Sequence, residues 1–204
     1  AVPFVRMQPP AIGATPVPRT IAPTPSGVTI KTGGSLRWIG HGSLDTIDVY
    51  SSTQRMALLA GRVWQDFLMG WDANGQAAPQ MLDTWTVSSD GKSFTYTLRD
   101  GLVWHDGSAV TTDDVLASLT TKWIKAIVPQ PKTYWEMGEF VESKIDDKTF
   151  ALEGQSSFGA WPWYMAQARP FVIPAALAAK YTGSDPIPFD EAIGSGPFTL
   201  TEWL

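Results

Sequence analysis

The side chains from which this sequence could build chemistry are few and scattered. It has two histidines and no cysteine. His41 lies between two glycines, and His105 is followed by Asp106, the order a general base and its orienting carboxylate would need. Asp106-Gly107 also suits a tight turn between a strand and a helix, which wants those residue types for backbone reasons, and the turn is the better account. Asp113-Asp114 and Asp146-Asp147 are adjacent pairs. Two carboxylates that work on one substrate face each other across it, so a helix cap and a turn explain these pairs instead. The H-E-x-x-H, G-x-S-x-G, P-loop and G-x-G-x-x-G patterns do not occur. Gly194-Ser195-Gly196 is too short for a nucleophile elbow and too poor a match for a phosphate loop. The lack of cysteine removes thiol nucleophiles and Cys-based metal sites, and no cofactor is expected. What remains is recognition chemistry. Arg169 is the one charged residue between Gly154 and Ala179. A cation among apolar neighbours takes a partner, either a structural carboxylate or an anionic group of a ligand. Tyr134-Trp135 and Trp161-Pro-Trp163-Tyr164 fall outside any clean periodicity, in stretches broken by Pro and Gly. Loop aromatics offer a ligand flat, stiff contact area, and core burial is the competing account.

The rest of the chain must position these residues. Its 204 residues are 44% apolar and 17% charged, enough for a sizeable core in one large domain or two small ones. A net charge of −5 argues against a nucleic-acid partner, whose phosphates want a basic surface. No apolar run approaches the ~20 residues needed to cross a bilayer. Residues 1–32 hold seven prolines and only Arg6, Arg19 and Lys31 as charges, which predicts an extended tail. That tail lacks a basic start followed by an apolar block, so it is not an intact signal peptide. It reads as a spacer left after one was removed, or as an ordinary disordered terminus.

Folded sequence is expected over residues 33–204. Ser35–Ile39 is a short strand candidate ending at Gly40-His41-Gly42. Met56, Leu59, Val63 and Phe67 recur at helical spacing and predict a helix from Gln54 to Met69, ended by Gly70. Thr84–Ser89 and Ser93–Leu98 alternate about Asp90-Gly91, which predicts a β-hairpin. Leu102–Trp104 reads as a further short strand. Thr111, with Asp113 and Asp114 behind it, caps a helix whose stripe is Val115, Leu119, Trp123 and Ile127, stopped by Pro129. Phe140–Ile145 and Thr149–Leu152 form a second hairpin about Asp146-Asp147-Lys148. Pro174–Tyr181 is a short helix with Pro in its first turn, and Phe198–Leu200 a closing strand. Hairpins mixed with helices give an α+β fold.

In this order the motifs resemble one family. Pro79-x-x-Leu82-x-x-Trp85, Ser89–Arg99, Gly101–Gly107 and Val110-Thr-x-x-Asp114-Val115-x-x-Ser118-Leu119 are similar to the signature block of the family 5 extracellular solute-binding proteins. Ile145–Leu152 and Ile193-Gly-Ser-Gly-Pro-Phe198 with Glu202-Trp203 continue the resemblance, which runs from about Gly33 to Leu204. It implies a receptor with a periplasmic-binding-protein-like fold, in which two lobes close on a ligand, and no enzyme. This chain would supply the first lobe, with a hairpin-rich subdomain. The C-terminal lobe would be a missing partner, as would an ABC permease in the membrane. The protein would work in the periplasm or outside the cell, with the N-terminal tail as a tether.

The resemblance also carries over individual residues. Tyr50 and Met56 sit much as a tyrosine and a methionine do in the nickel-binding members, in a cleft-lining loop that covers His41 to Met56. Tyr134-Trp135-Glu136 resembles a segment that supplies an aromatic contact, and Ala168-Arg169-Pro170-Phe171 one whose arginine meets ligand carboxylates. The expected ligand set is therefore Trp135, Arg169, Tyr50, Met56, Tyr134 and His41. The expected cargo is a peptide or another small carboxylated solute. A sugar, a metal chelate, an interaction subunit that has lost transport, and a secreted hydrolase are the alternatives.

Overall fold

Among the described residues every strand that pairs does so antiparallel. The computed structural model describes residues 45–125, 135–136, 140–168 and 170–202. The tail over 1–32, the strand expected at Ser35–Ile39, and Ile127 with Pro129 lie outside the described residues. The elements are α1 (Arg55–Trp64), β1 (Met69–Trp71), β2 (Ala77–Pro79), β3 (Leu82–Val87), β4 (Ser93–Leu98), α2 (Thr112–Ala117), β5 (Val141–Lys144), β6 (Thr149–Glu153), α3 (Trp161–Ala168) and α4 (Ala175–Lys180). Strands β3, β4, β6 and β5 form one sheet in that order, and β1 pairs with β2 in a small second one.

Both predicted hairpins form. Phe94, Tyr96 and Leu98 alternate onto the buried face of β4, and Phe150 and Leu152 of β6 stand opposite Tyr96 and Phe94. The rings of Tyr96 and Phe150 stack with centroids 5.1 Å apart. A bulge between Leu82 and Thr84 explains how Leu82 and Trp85, three residues apart, both face inward from β3. At the second hairpin, the carboxylate of Asp146 accepts the N–H groups of Lys148 and Thr149 at 2.8 Å, so this acid is a turn residue. Leu102–Trp104 is reduced to one bridge, Val103 to Ala109, closed by Trp104 N–H donating to Ser108 O.

Helix α1 departs from the prediction. It ends at Trp64, and its buried face is Met56, Ala57, Gly61 and Trp64, while Val63 is exposed and Leu59 only half-buried. Phe67, expected on the stripe, bridges Phe171 instead, and Gly70, expected as the stop, is the middle residue of β1. The reason is competition for backbone partners. Asp66 O accepts Val172 N–H, and the carbonyls of Phe67 and Leu68 accept Met81 and Gln80 N–H, which pulls this apolar run out as a strand. Gly61 sets the helix packing: a Cβ there would stand 2.3 Å from Val49 Cγ1.

Helix α2 begins with a capping box, in which the Asp114 side chain accepts Thr111 N–H at 2.8 Å. Its end continues as a π-helix over Ser118–Trp123, where Ile124 N–H reaches back to Leu119 O. Val115, Leu119 and Trp123 are buried as predicted. Pro174 caps α4 rather than entering its first turn.

Trp161, Trp163 and Tyr164, read as loop aromatics, lie on helix α3. Trp161 has no exposed surface and packs on Trp123, Trp135, Phe140, Phe158 and Tyr164. Most of α3 is apolar and buried, so no amphipathic period marks it. Trp163 is the exception, half-exposed with its edge against Trp71. Phe198–Leu200, expected as a closing strand, is irregular and Phe198 is exposed, because no strand of the described residues lies beside it to accept the ladder.

Candidate functional site

Two stripes run down α2 and its π-helical end. The apolar stripe enters the core. The polar stripe, Asp114, Ser118 and Lys122, is spaced by four and equally buried. Each member fixes an irregular segment. Asp114 uses its second carboxylate oxygen to accept Ala175 N–H at 2.8 Å, which satisfies the first turn of α4. Ser118 Oγ accepts Ile173 N–H at 2.9 Å and lies 3.0 Å from Ile173 O. Lys122 Nζ donates to Asp48 Oδ2 at 2.9 Å and to Asp185 O at 2.7 Å. Asp48 also accepts Tyr50 N–H at 2.9 Å and Ile187 N–H at 3.2 Å.

These contacts bring two of the expected ligand segments together. The loop before α1 is held by Asp48, and the stretch Pro170–Ile173 is held by Ser118. The Tyr50 hydroxyl then donates to the carbonyl of Phe171, joining the two. Burial, reinforced by the Asp48 carboxylate, pushes the Tyr50 phenol well above its usual range, against the lowering effect of Phe171. Leu68 N–H donates to Pro170 O and Val172 N–H to Asp66 O, so Pro170–Ile173 is pinned along its length. Ring contact of Phe171 with Phe67, centroids 5.6 Å apart, adds a side-chain anchor.

Of the six carried-over residues, Tyr50, Met56 and Trp135 are 5%, 9% and 8% exposed, walls of the interior. Trp135 stands in the aromatic cluster, its ring centroid 5.9 Å from those of both Trp161 and Phe140. Arg169, Tyr134 and His41 lie outside the described residues. Helix α3 links the two regions, since it starts at Trp161 beside Trp135 and ends at Ala168. The sequence reading missed Asp48 and Lys122. Their signal was present: Asp48 interrupts an apolar Ile47–Val49 step, and Lys122 continues the four-residue spacing of Asp114 and Ser118.

His105 is tied to the Gly194–Gly196 segment rather than set against Asp106. Its backbone N–H donates to Gly194 O, and its ring Nε2 is 2.9 Å from Gly196 O. Asp106 turns away to accept the N–H and hydroxyl of Ser108, which hold its carboxyl below the usual range. Gly194-Ser195-Gly196 is a strap across the end of α1. A Cβ on Gly194 would stand 2.0 Å from Trp64 O, so the glycines serve close packing. Among the described residues, no cluster of three His, Asp or Glu side chains could hold a metal ion.

The chain is similar to known proteins over most of its length. Residues 76–204 match the family model of bacterial extracellular solute-binding proteins, family 5 Middle. A protein of Sinorhizobium fredii, named as a probable peptide ABC transporter periplasmic-binding protein, is 34% identical over 163 residues, covering 79% of this chain and 29% of that protein. The glutathione-binding protein GsiB of Pectobacterium atrosepticum is 27% identical over 192 residues, covering 87% of this chain and 35% of its own. Among solved structures, the binding protein AgaA of A. tumefaciens R10 in complex with agropinic acid superposes with a TM-score of 0.65 at 28% identity, over 80% of this chain and 32% of that one. The chain thus spans about a third of the length of the relatives it matches. This α+β chain belongs to the bacterial extracellular solute-binding proteins of family 5, a family of receptors and not of enzymes.

Proposed function

We propose that the chain is the first lobe of an extracytoplasmic receptor that captures a peptide or another small carboxylated solute for an ABC importer. The observation that carries this is the family match over residues 76–204. The relatives named for peptide, glutathione and agropinic acid support the cargo class, since all three solutes bear carboxylates. In this reading Arg169 supplies a charge-assisted contact to a ligand carboxylate, and Trp135, steadied by Trp161 and Phe140, backs the ligand wall. A C-terminal lobe closes the other side and a membrane permease receives the cargo. The working compartment is the periplasm or the cell exterior, as for the periplasmic relative.

The test is calorimetric binding to the full-length protein, with glutathione, agropinic acid and trialanine as probes. Arg169→Ala is expected to weaken the probe that binds by about 1.5–3 kcal/mol, the range for a hydrogen bond to a charged group. A loss under about 1 kcal/mol removes Arg169 from the ligand set. Binding of none of the probes, with a neutral sugar bound instead, replaces the cargo class.

A further inference from the structure

We infer that Lys122, buried on the π-helical turn of Ser118–Trp123, is a positioning residue for the loop before α1. The inference rests on the reading of this lobe as half of a solute-binding cleft. Lys122 has no exposed surface, and its partner Asp48 is 2% exposed. A buried ion pair is a costly way to gain stability, since apolar residues of the same volume commonly do as well or better. What the pair supplies is register. Asp48 spends both oxygens, taking Lys122 Nζ and Ile187 N–H on one and Tyr50 N–H on the other. Lys122 spends a second proton on Asp185 O. Residues 48–50 and 185–187 are therefore gathered on one ammonium group.

The helix geometry serves this arrangement. π-Helical turns are rare, and each accommodates one extra residue within a helix. Trp123 follows Leu119 and Val115 at four-residue steps on the core side, and Lys122 follows Ser118 and Asp114 at the same steps on the loop side. From Nζ the chain of contacts runs to Asp48, to the Tyr50 backbone, and through the Tyr50 hydroxyl to the Phe171 carbonyl. The Tyr50 ring centroid lies 5.9 Å from Nζ, so the charge also favours one placement of that ring. Lys122 thus acts on the ligand through Tyr50 and Phe171, without touching it.

The experiment compares the full-length parent with Lys122→Met and with the doubly neutral Asp48→Asn/Lys122→Met, which leaves no lone charge buried and guards against failure to fold. Two readouts are taken well below the melting temperature: hydrogen exchange at the Tyr50 and Ile187 amides, and affinity for glutathione, agropinic acid and trialanine. Lys122→Met is expected to speed exchange at both amides by about tenfold or more, to leave the β3–β4 amides protected, and to weaken the binding probe by about tenfold. The double variant is expected to recover melting temperature without recovering Ile187 protection or affinity. Parent-like exchange at both amides overturns the positioning role. Fast exchange with parent-like affinity also overturns it, because the pair would then be structural only. If the parent binds none of the probes, the carboxylated cargo class fails, and the exchange arm alone decides whether Lys122 positions the loop.

Discussion

Two phenols show how far burial can move a side chain in this protein. Tyr50 and Tyr96 are both held neutral well above the ordinary tyrosine value of 10.0, chiefly because their surroundings cannot solvate a phenolate. A group whose folded value is raised contributes stability that is fully present below its unfolded value and is lost as pH rises through the folded one. The protein should therefore be insensitive to these residues at neutral pH and lose stability above about pH 10. Of five tyrosines, these two should yield tyrosinate absorbance only as circular dichroism reports unfolding. Smooth titration of both in a folded protein would show that water reaches them. The Tyr50 hydroxyl is spent on Phe171, a bond no sequence pattern announces because its partners are 121 residues apart.

At the scale of elements, α1 gives the sharpest contrast between local rule and tertiary context. Replacing a mid-helix glycine by alanine normally stabilises by roughly 0.5–1 kcal/mol. At Gly61 the new methyl would meet Val49 Cγ1 at 2.3 Å, closer than two carbons can come. Gly61→Ala should therefore destabilise by about 1–3 kcal/mol, the usual cost of overpacking, in a urea titration. A gain would mean that Val49 and the loop it belongs to yield easily. The hairpins, by contrast, were legible residue by residue, since alternation and an Asp-Gly turn specify both face and register locally. The end of α1 was not legible. Asp66, Phe67 and Leu68 leave the helix because the distant amides of Val172, Met81 and Gln80 take their carbonyls, and Leu68 N–H goes to Pro170 O.

At the scale of the molecule, five of the ten tryptophans, Trp85, Trp104, Trp123, Trp135 and Trp161, are buried in one core. Trp161 joins α3, the π-helical end of α2 and the segments of Trp135 and Phe140. Trp161→Ala should cost about 3–5 kcal/mol, the range for truncating a large buried aromatic. Trp163→Ala, at a half-exposed position, should cost under about 1 kcal/mol. Chemical denaturation followed by circular dichroism separates the two. Equal effects would place the centre of the core elsewhere.

The sequence alone determined the fold class, the two hairpins, the capped helix at Thr111 and the family, because each rests on contacts between near neighbours or on motif order along the chain. The tertiary structure decided where α1 ends, that Trp161 and Tyr164 are core, and that Lys122, Asp48 and Tyr50 form one unit with Phe171. Those outcomes depend on which distant groups compete for the same backbone partner or the same buried volume, and a one-dimensional pattern carries no record of that competition.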